Sequence, residues 1–161
     1  MKKFVIAAVA VALSSGSAYA ATANGSATAE VVAPITLTHT PAATINFGMF
    51  AAGTGGSVTV TTAGVGSAGG GVTLVAGSIN SADAFTVSGS ALRGYTIATA
   101  AGTVNSGVNS MNFTTTPSAA TGILTAVTGT GGFTVGGTLT VPSGQATGSY
   151  TGSYVATVLY Q

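Results

Sequence analysis

The sequence predicts an all-β protein, either a sandwich or a barrel. Thr, Val and Gly dominate the chain, whereas Glu, Lys, Gln and Arg are almost missing, and this balance favours strands and turns over helices. No window has the apolar spacing of an amphipathic helix. Short apolar stretches instead recur between Gly-rich spacers, which is typical of antiparallel sandwiches and barrels. Because no fixed repeat period occurs, a β-solenoid or propeller is not expected.

Residues 1–20 have the features of a secretory signal peptide. Lys2 and Lys3 form a positive start, residues 4–13 are an apolar run, and Ala18-Tyr19-Ala20 has the small-x-small form of a cleavage site. The apolar run is too short to span a bilayer. We therefore expect cleavage after residue 20 and export of the rest, with no membrane-spanning helix in it.

Residues 21–32 alternate between two kinds of side chain. One phase carries small or apolar residues, namely Ala21, Ala23, Gly25, Ala27, Ala29 and Val31, and the other phase is largely polar. Strict alternation of this kind is typical of a strand with one buried face. At the start of the exported chain, such a strand needs a partner to pair with.

Further strands are predicted along the whole chain, with turns between them. They cover residues 31–38, 44–50, 57–62, 71–76, 84–88, 95–99, 111–115, 123–127, 132–141 and 149–160. Pro34 lies in the first of these and lacks a backbone N–H, so we expect an edge, a bulge or a strand switch there.

Beyond the leader the chain is almost uncharged. Its charged residues are Glu30, Asp83 and Arg93, His39 is its one imidazole, and cysteine is absent. Nucleic acid and anionic lipid are therefore not expected as partners, because no basic patch can form. A surface of Thr, Ser, Asn, Gly and Ala has little repulsion to keep copies apart, which suits a protein that packs against itself.

Catalytic chemistry is not expected from this set of residues. A carboxylate pair would have Glu30 and Asp83 alone to use, and a serine nucleophile would have His39 as its one possible base. One imidazole and two carboxylates are too few for a typical metal site. We expect His39 at a strand end with its ring in water, and a surface pair between Asp83 and Arg93. No cofactor is expected.

A G-x-G-x-x-G pattern occurs at Gly64, Gly66 and Gly69. A phosphate-binding loop of this form needs a helix that begins directly after it. A glycine run and a predicted strand follow instead, so the pattern predicts a flexible loop.

The C-terminal strand carries the most specific pattern. Tyr150, Gly152, Tyr154, Ala156, Val158 and Tyr160 share one phase, and Val155 and Leu159 lie in the other. The strand stops one residue before the end of the chain, so Tyr160 is penultimate.

Together the two ends resemble the subunits of chaperone–usher pili. Pilins of that superfamily have a signal peptide, a short alternating N-terminal extension and a C-terminal strand. That strand carries a penultimate tyrosine, here Tyr160, and a glycine fourteen residues from the end, here Gly148. Ile45-Asn46-Phe47-Gly48, followed by a Gly-rich turn and Ser-Val-Thr-Val, is similar to an uncharacterised family of pilin-like secreted bacterial domains and to the archaic, spore-coat-U-like branch of the pilins.

The resemblance implies an incomplete immunoglobulin-like sandwich that is completed by a donor strand from a neighbouring subunit. It implies a signal peptide at 1–20, a donor extension at 21–31 and a β-sandwich domain at 32–161. The donor residues would be Ala21, Ala23, Gly25, Ala27, Ala29 and Val31. The C-terminal strand that meets the chaperone and borders the groove would carry Gly148, Tyr150, Tyr154, Ala156, Val158 and Tyr160.

The implied function is that of a structural subunit of a surface fibre, for adhesion or biofilm formation. Its partners would be a periplasmic chaperone, an outer-membrane usher and further copies of itself. The chain departs from the pattern in two respects, because many related pilins carry a disulfide and most donor strands carry bulky aliphatic side chains. The donated segment therefore either ends at Ala29 or runs on through Val31 and Ala33.

Other functions compete with this one. A self-contained β-sandwich adhesin or carbohydrate-binding module would pair its N-terminal strand within its own domain, although such sites often expose Trp and this chain has none. An amyloid-like surface fibre suits the low charge but not the absence of repeats. A type IV pilin would need a long apolar helix after the leader. An outer-membrane barrel would need longer strands with aromatic girdles.

Overall fold

The structure, a computed structural model, describes residues 20–161. The predicted signal peptide therefore lies outside the described residues except for Ala20. The chain divides after Glu30, so that residues 20–30 and the domain Val31–Gln161 are described separately. Residues 20–30 contain no strand. All regular structure in the domain is β-strand, which confirms the all-β prediction, and none of the described residues forms a helix that could cross a membrane.

The strands of the domain are numbered along the chain. They are β1 Thr36–His39, β2 Phe50–Ala51, β3 Gly56–Val60, β4 Gly66–Gly70, β5 Thr73–Leu74, β6 Asp83–Ser88, β7 Gly94–Thr99, β8 Gly102–Ser106, β9 Asn109–Pro117, β10 Thr121–Ile123, β11 Thr130–Val141, β12 Thr151–Ser153 and β13 Ala156–Tyr160.

The main sheet is antiparallel and is organised around the long strand β11. Its order is β1-β6-β11-β9-β8-β12, and β3 pairs with both β11 and β4. The first half of β11 pairs with β6 and the second half with β3, while β9 pairs along the other edge. Alternate residues of β11 are buried, namely Phe133, Val135, Leu139 and Val141. One continuous strand therefore contributes to the core along the whole domain.

Two smaller antiparallel sheets complete the domain, one with the order β10-β7-β13 and one formed by β2 and β5. The buried residues form two hydrophobic clusters, one around Phe113 and Leu139 and one around Tyr95 and Phe133. Ile45 and Tyr154 pack against both clusters. The result is a β-sandwich-like domain with a two-part core, joined at those two side chains.

The G-x-G-x-x-G stretch is a strand rather than the predicted flexible loop. Gly66–Gly70 forms β4 and pairs in register with β3, Val58 lying opposite Ala68. Glycine is a poor strand former. All five residues of β4 nevertheless pair with β3, because tertiary pairing overrides the intrinsic preference of the residues. At position 66 a Cβ would overlap the end of the Asn80 side chain, which would have to move to admit it.

Four further strand predictions were wrong in detail. Residues 102–106, predicted as a spacer, form β8 because they make a hairpin with β9. Residues 44–50 form only an isolated bridge at Asn46 before β2. The strand predicted over 123–127 lies earlier, as β10, since residues 124–127 enter a turn. The C-terminal strand is split into β12 and β13, because its two parts join different sheets.

Strand β1 begins two residues after Pro34 rather than at Val31. It pairs with β6 alone among the described residues, which agrees with the edge predicted from the proline. Ile35 and Leu37 pack against the second hydrophobic cluster. The predicted alternation is therefore correct over this part of the segment.

Candidate functional site

A groove in the domain surface lies between two stretches of chain, residues 43–53 and residues 144–154. The cavity between them has a volume of about 1180 Å³. Its lining is rich in apolar and aromatic side chains, among them Phe47, Met111, Phe113, Leu139, Tyr150 and Tyr154. Four of these belong to the buried first cluster, so the groove opens directly onto the hydrophobic core.

One side of the groove belongs to the N-terminal wall, defined here as residues 35–53, of which His39 and residues 43–53 line the cavity. Asn46 exchanges two backbone hydrogen bonds with Ser81, at 2.9 and 3.2 Å. Since backbone groups alternate in direction along a strand, the N–H and C=O groups of Ile45 and Phe47 are directed away from Ser81, towards the groove. Their side chains pack into the core.

The same alternation extends to β1. The Thr40 N–H donates to the Ala84 carbonyl at 3.0 Å, and β1 is in register with β6, so the even-numbered residues of β1 make the ladder with β6. The backbone groups of Leu37 and His39 are consequently directed to the opposite edge, which has no strand partner among residues 20–161.

The other side belongs to the C-terminal wall, residues 144–160, of which residues 144–154 line the cavity and β13 continues the chain beyond it. The Gln161 N–H donates to the Gly94 carbonyl at 3.1 Å, and the Ala100 N–H donates to the Val155 carbonyl at 2.9 Å. Odd-numbered residues of β13 therefore make the ladder with β7. The backbone groups of Ala156, Val158 and Tyr160 point away from β7, to an edge that no described strand pairs with.

Both walls thus present the same arrangement. Inward-facing apolar side chains alternate with outward-facing ones, which in the C-terminal wall include the exposed Val155 and Leu159. The backbone groups of the inward-facing residues of β1 and β13 lie along strand edges that no described strand pairs with. Such an edge is a template for another extended chain. The arrangement can hold a peptide in extended conformation, with main-chain hydrogen bonds on both sides and an apolar floor below.

Two sets of side-chain contacts cross between the walls. At the far end of β13, the Tyr160 hydroxyl accepts a hydrogen bond from the Ser90 N–H at 2.7 Å and donates one to the Ala33 carbonyl at 2.9 Å. The Ala33 N–H donates to the Ser90 hydroxyl at 2.8 Å. The three residues form a closed ring of contacts, here called the Ala33 anchor.

The second set centres on Asp83, whose surroundings differ from the prediction. Asp83 is buried, with 5% of its surface exposed, and the predicted surface pair with Arg93 is wrong. Its Oδ1 lies 2.6 Å from Nε2 of His39 and accepts from the Ala84 N–H, and its Oδ2 accepts from the Tyr154 hydroxyl at 2.8 Å. A buried carboxylate needs such partners, and the pairing of β1 with β6 brings His39 next to the start of β6.

His39 and Tyr154 complete this cluster. His39 ends β1, as predicted, but its side chain is half-buried rather than surrounded by water, and its ring packs edge-on against Phe85 at 5.1 Å. Burial raises the pKa of Tyr154, and the hydrogen bond and negative charge of Asp83 raise it further.

The C-terminal residues expected to border the groove lie in the predicted phase. Val158 is buried, Tyr150, Tyr154, Ala156 and Tyr160 are partly buried, and Val155 and Leu159 face outward. Tyr150 donates to the Ala146 carbonyl at 2.7 Å and accepts from Gln145 at 2.7 Å. Gly148 lies beside Ser106, where a Cβ would approach the serine hydroxyl to 2.8 Å.

The residues expected to be donated are placed differently. Ala21, Ala23, Gly25, Ala27 and Ala29 lie in the 20–30 segment, which contains no strand, and Val31 is 97% exposed at the start of the domain. Sequence reasoning gave no role to the N-terminal wall. The alternation of Ile45 and Phe47 with Asn46 could have indicated a strand with one buried face in this wall. That alternation does not reveal that the segment lies opposite residues 144–154.

The fold and the groove together define a class: a β-sandwich-like domain with an apolar groove between two unpaired strand edges. The chain belongs to a family described as a domain of unknown function (DUF4402), whose model matches residues 35–160 and so includes both walls. No curated protein matches the chain, and neither does any solved structure.

Proposed function

We propose that this chain is a structural subunit of a bacterial surface fibre, assembled head-to-tail when each copy inserts its N-terminal extension into the groove of the next. The observation that carries the proposal is the groove itself. Residues 43–53 and 144–154 flank an opening into the hydrophobic core. The free edges of β1 and β13 adjoin these two stretches along the chain, and one extended segment would pair with both edges. In this proposal the domain is an immunoglobulin-like sandwich that lacks one strand.

The physical basis is strand addition. An extended segment gains main-chain hydrogen bonds along both edges, while its inward side chains cover apolar surface. Ten extended residues span roughly 33 Å, which suits a groove flanked by stretches of about this length. The contact is heterologous and does not close on itself, so it yields a filament.

The N-terminal extension has the composition that such a segment needs. Residues 21–29 carry no charged side chain, so none has to be buried in the apolar groove. Alanine and glycine on the inward phase let the two walls approach the inserted backbone closely. Because the domain has very few charges, stacked copies repel one another little.

An open groove of this kind is an aggregation hazard before assembly. We propose that a periplasmic chaperone covers it first and that an outer-membrane usher then replaces the chaperone with the extension of the next copy. Residues 1–20 would direct export, and the finished fibre would serve adhesion or biofilm formation at the cell surface.

Deletion of residues 21–29 tests the proposal. The exported subunit should fold and bind its chaperone but form no fibres in electron micrographs. A matched control keeps the composition of residues 21–29 but shuffles them so that the alternation is lost, and it should also fail. Fibres of normal length from the deletion variant would refute the proposal.

A second measurement distinguishes the competing function. If the purified full chain is a stable monomer with residues 21–31 protected from hydrogen exchange, the extension completes its own domain. In that case the protein is a self-contained adhesin or carbohydrate-binding module, and the fibre proposal is wrong.

A further inference from the structure

The Ala33 anchor lies at the junction between the extension and the domain. Ala33 uses both of its backbone groups there, since its N–H donates to the Ser90 hydroxyl and its carbonyl accepts from the Tyr160 hydroxyl. A backbone residue held on both sides cannot leave the domain surface without breaking two hydrogen bonds. Val31, two residues earlier, is 97% exposed.

The two residues that hold Ala33 are themselves fixed. Tyr160 lies in β13 opposite the buried Tyr95, and the next residue, Gln161, donates its N–H to the Gly94 carbonyl. Ser90 donates its own N–H to the Tyr160 hydroxyl at 2.7 Å. Gly89 is required beside this hydroxyl, because a Cβ there would overlap it.

The contact is made by side chains and leaves the strand edges free. The Tyr160 hydroxyl reaches Ala33 from the inward side of β13, whereas the backbone groups of β1 and β13 that face each other remain without a ladder. The anchor therefore links Ala33, two residues before the N-terminal wall begins, to the last residue of β13, and it leaves the outer edges of both strands without a partner among the described residues.

We propose that Tyr160, together with Ser90, is a positioning residue that holds the chain at Ala33 and so ends the donated segment at Val32. This inference rests on the proposed function. The segment given to a neighbouring copy is then residues 21–32. Ala33 stays with its own domain, and the anchor sets the length of chain that connects successive subunits in the fibre.

The anchor itself is tested on the full exported chain by amide hydrogen exchange, measured by NMR. Ser90→Ala should make the Ala33 amide exchange about tenfold faster, and Tyr160→Phe about fivefold faster, because each removes one hydrogen bond of the ring. Tyr150→Phe is the matched control and should leave Ala33 unchanged. Equal exchange at Ala33 in all four proteins would overturn the anchor without bearing on fibre formation.

The end of the donated segment is tested by cross-linking, for which a chain without cysteine is well suited. Acceptor copies carry Thr151→Cys or Leu159→Cys, one in each half of the C-terminal wall, and donor copies carry Val31→Cys or Ala33→Cys. With a short bismaleimide we expect intermolecular dimers from position 31 and at least tenfold fewer from position 33. Adding Tyr160→Phe to Ala33→Cys should raise its yield towards that of position 31.

Equal cross-linking from positions 31 and 33 with the anchor intact would overturn the inference and leave strand donation standing. If cysteines at positions 27, 29 and 31 all fail to cross-link, strand donation is wrong and the assigned end of the donated segment is wrong with it. In that case the hydrogen-exchange measurement at the Ala33 amide still decides whether Tyr160 holds Ala33 in place.

Discussion

The Tyr154 hydroxyl donates a 2.8 Å hydrogen bond to the buried carboxylate of Asp83. This contact joins the C-terminal wall of the groove to β6 at the point where the two hydrophobic clusters meet. Because Asp83 also contacts His39 at 2.6 Å, one carboxylate connects three separate parts of the chain. The groove is therefore bordered by walls whose positions depend on a buried polar cluster.

Removal of the Tyr154 hydroxyl should destabilise the domain. Tyr154→Phe leaves one oxygen of a buried carboxylate without its partner, which costs about 1–3 kcal/mol. Urea unfolding of the two proteins measures the difference in free energy of unfolding. Tyr150→Phe is the control, since its hydroxyl bonds to the exposed Ala146 carbonyl, and we expect a smaller loss there. Equal losses of unfolding free energy in the two variants would show that the buried Asp83 carboxylate does not need the hydrogen bond from Tyr154.

The stability of the domain should fall in alkaline solution. The pKa of Tyr154 is raised in the folded state from an ordinary value of 10.0, and burial raises the pKa of Tyr95 as well. Above pH 10 the unfolded chain releases these protons before the folded chain does, so the free energy of unfolding decreases as pH rises. Below pH 10 the contribution is complete. Denaturant titrations from pH 8 to 11 should show this decline, with a shallower slope in Tyr154→Phe.

Proline substitutions in β13 should have different effects on its free edge and on the edge that pairs with β7. Ala156→Pro removes an N–H directed away from β7, which a strand edge tolerates, so the subunit should fold but lose the capacity to form fibres. Thr157→Pro removes a ladder N–H and should unfold the domain. Circular dichroism and electron microscopy measure the two outcomes. Normal fibres from a folded Ala156→Pro protein would contradict strand addition at β13.

The effect of a charged side chain in residues 21–31 on fibre assembly should depend on which of the two alternating phases carries it. Ala27→Lys places an ammonium group on the phase proposed to face the apolar groove, where burying it is strongly unfavourable, so fibres should be lost. Thr28→Lys places the same charge on the opposite phase and should permit normal assembly. Fibre yield in electron micrographs compares the two neighbours directly. Equal yields would mean that the alternation of residues 21–31 has no role in assembly.

Close packing of β11 against β3 should make Gly136 intolerant of a side chain. A Cβ at this position would overlap backbone atoms of residues 60–62, and overpacking of this kind costs about 1–3 kcal/mol. Gly136→Ala should therefore lower the midpoint of thermal unfolding. Gly69→Ala serves as the control, because a Cβ there meets only the Ser57 hydroxyl at 3.4 Å. A change of similar size in both proteins would contradict this account.

The alternating strands with bulky side chains could be predicted from sequence, and β3, β6, β7, β9 and β11 lie close to the predicted positions. Strands made of small residues could not be predicted from sequence. Residues Gly66–Gly70 have no preference for a strand, and β4 forms because its backbone pairs with β3. For the candidate site, the sequence predicted which side chains of the C-terminal strand face inward, but it did not predict the N-terminal wall. Residues 43–53 and 144–154 are far apart in sequence, and no local pattern indicates that they face each other.

The sequence by itself determined the all-β class and the inward phase of the C-terminal strand, since these follow from composition and side-chain alternation. Pro34 narrowed the start of β1 only to an edge, a bulge or a strand switch. The tertiary structure alone decided the partners of Asp83, the pairing of the glycine strand, the opening between the two walls and the hold of Tyr160 on Ala33. These depend on which distant segments become neighbours. Burial and backbone pairing across the whole domain select those neighbours, and local patterns carry no information about them.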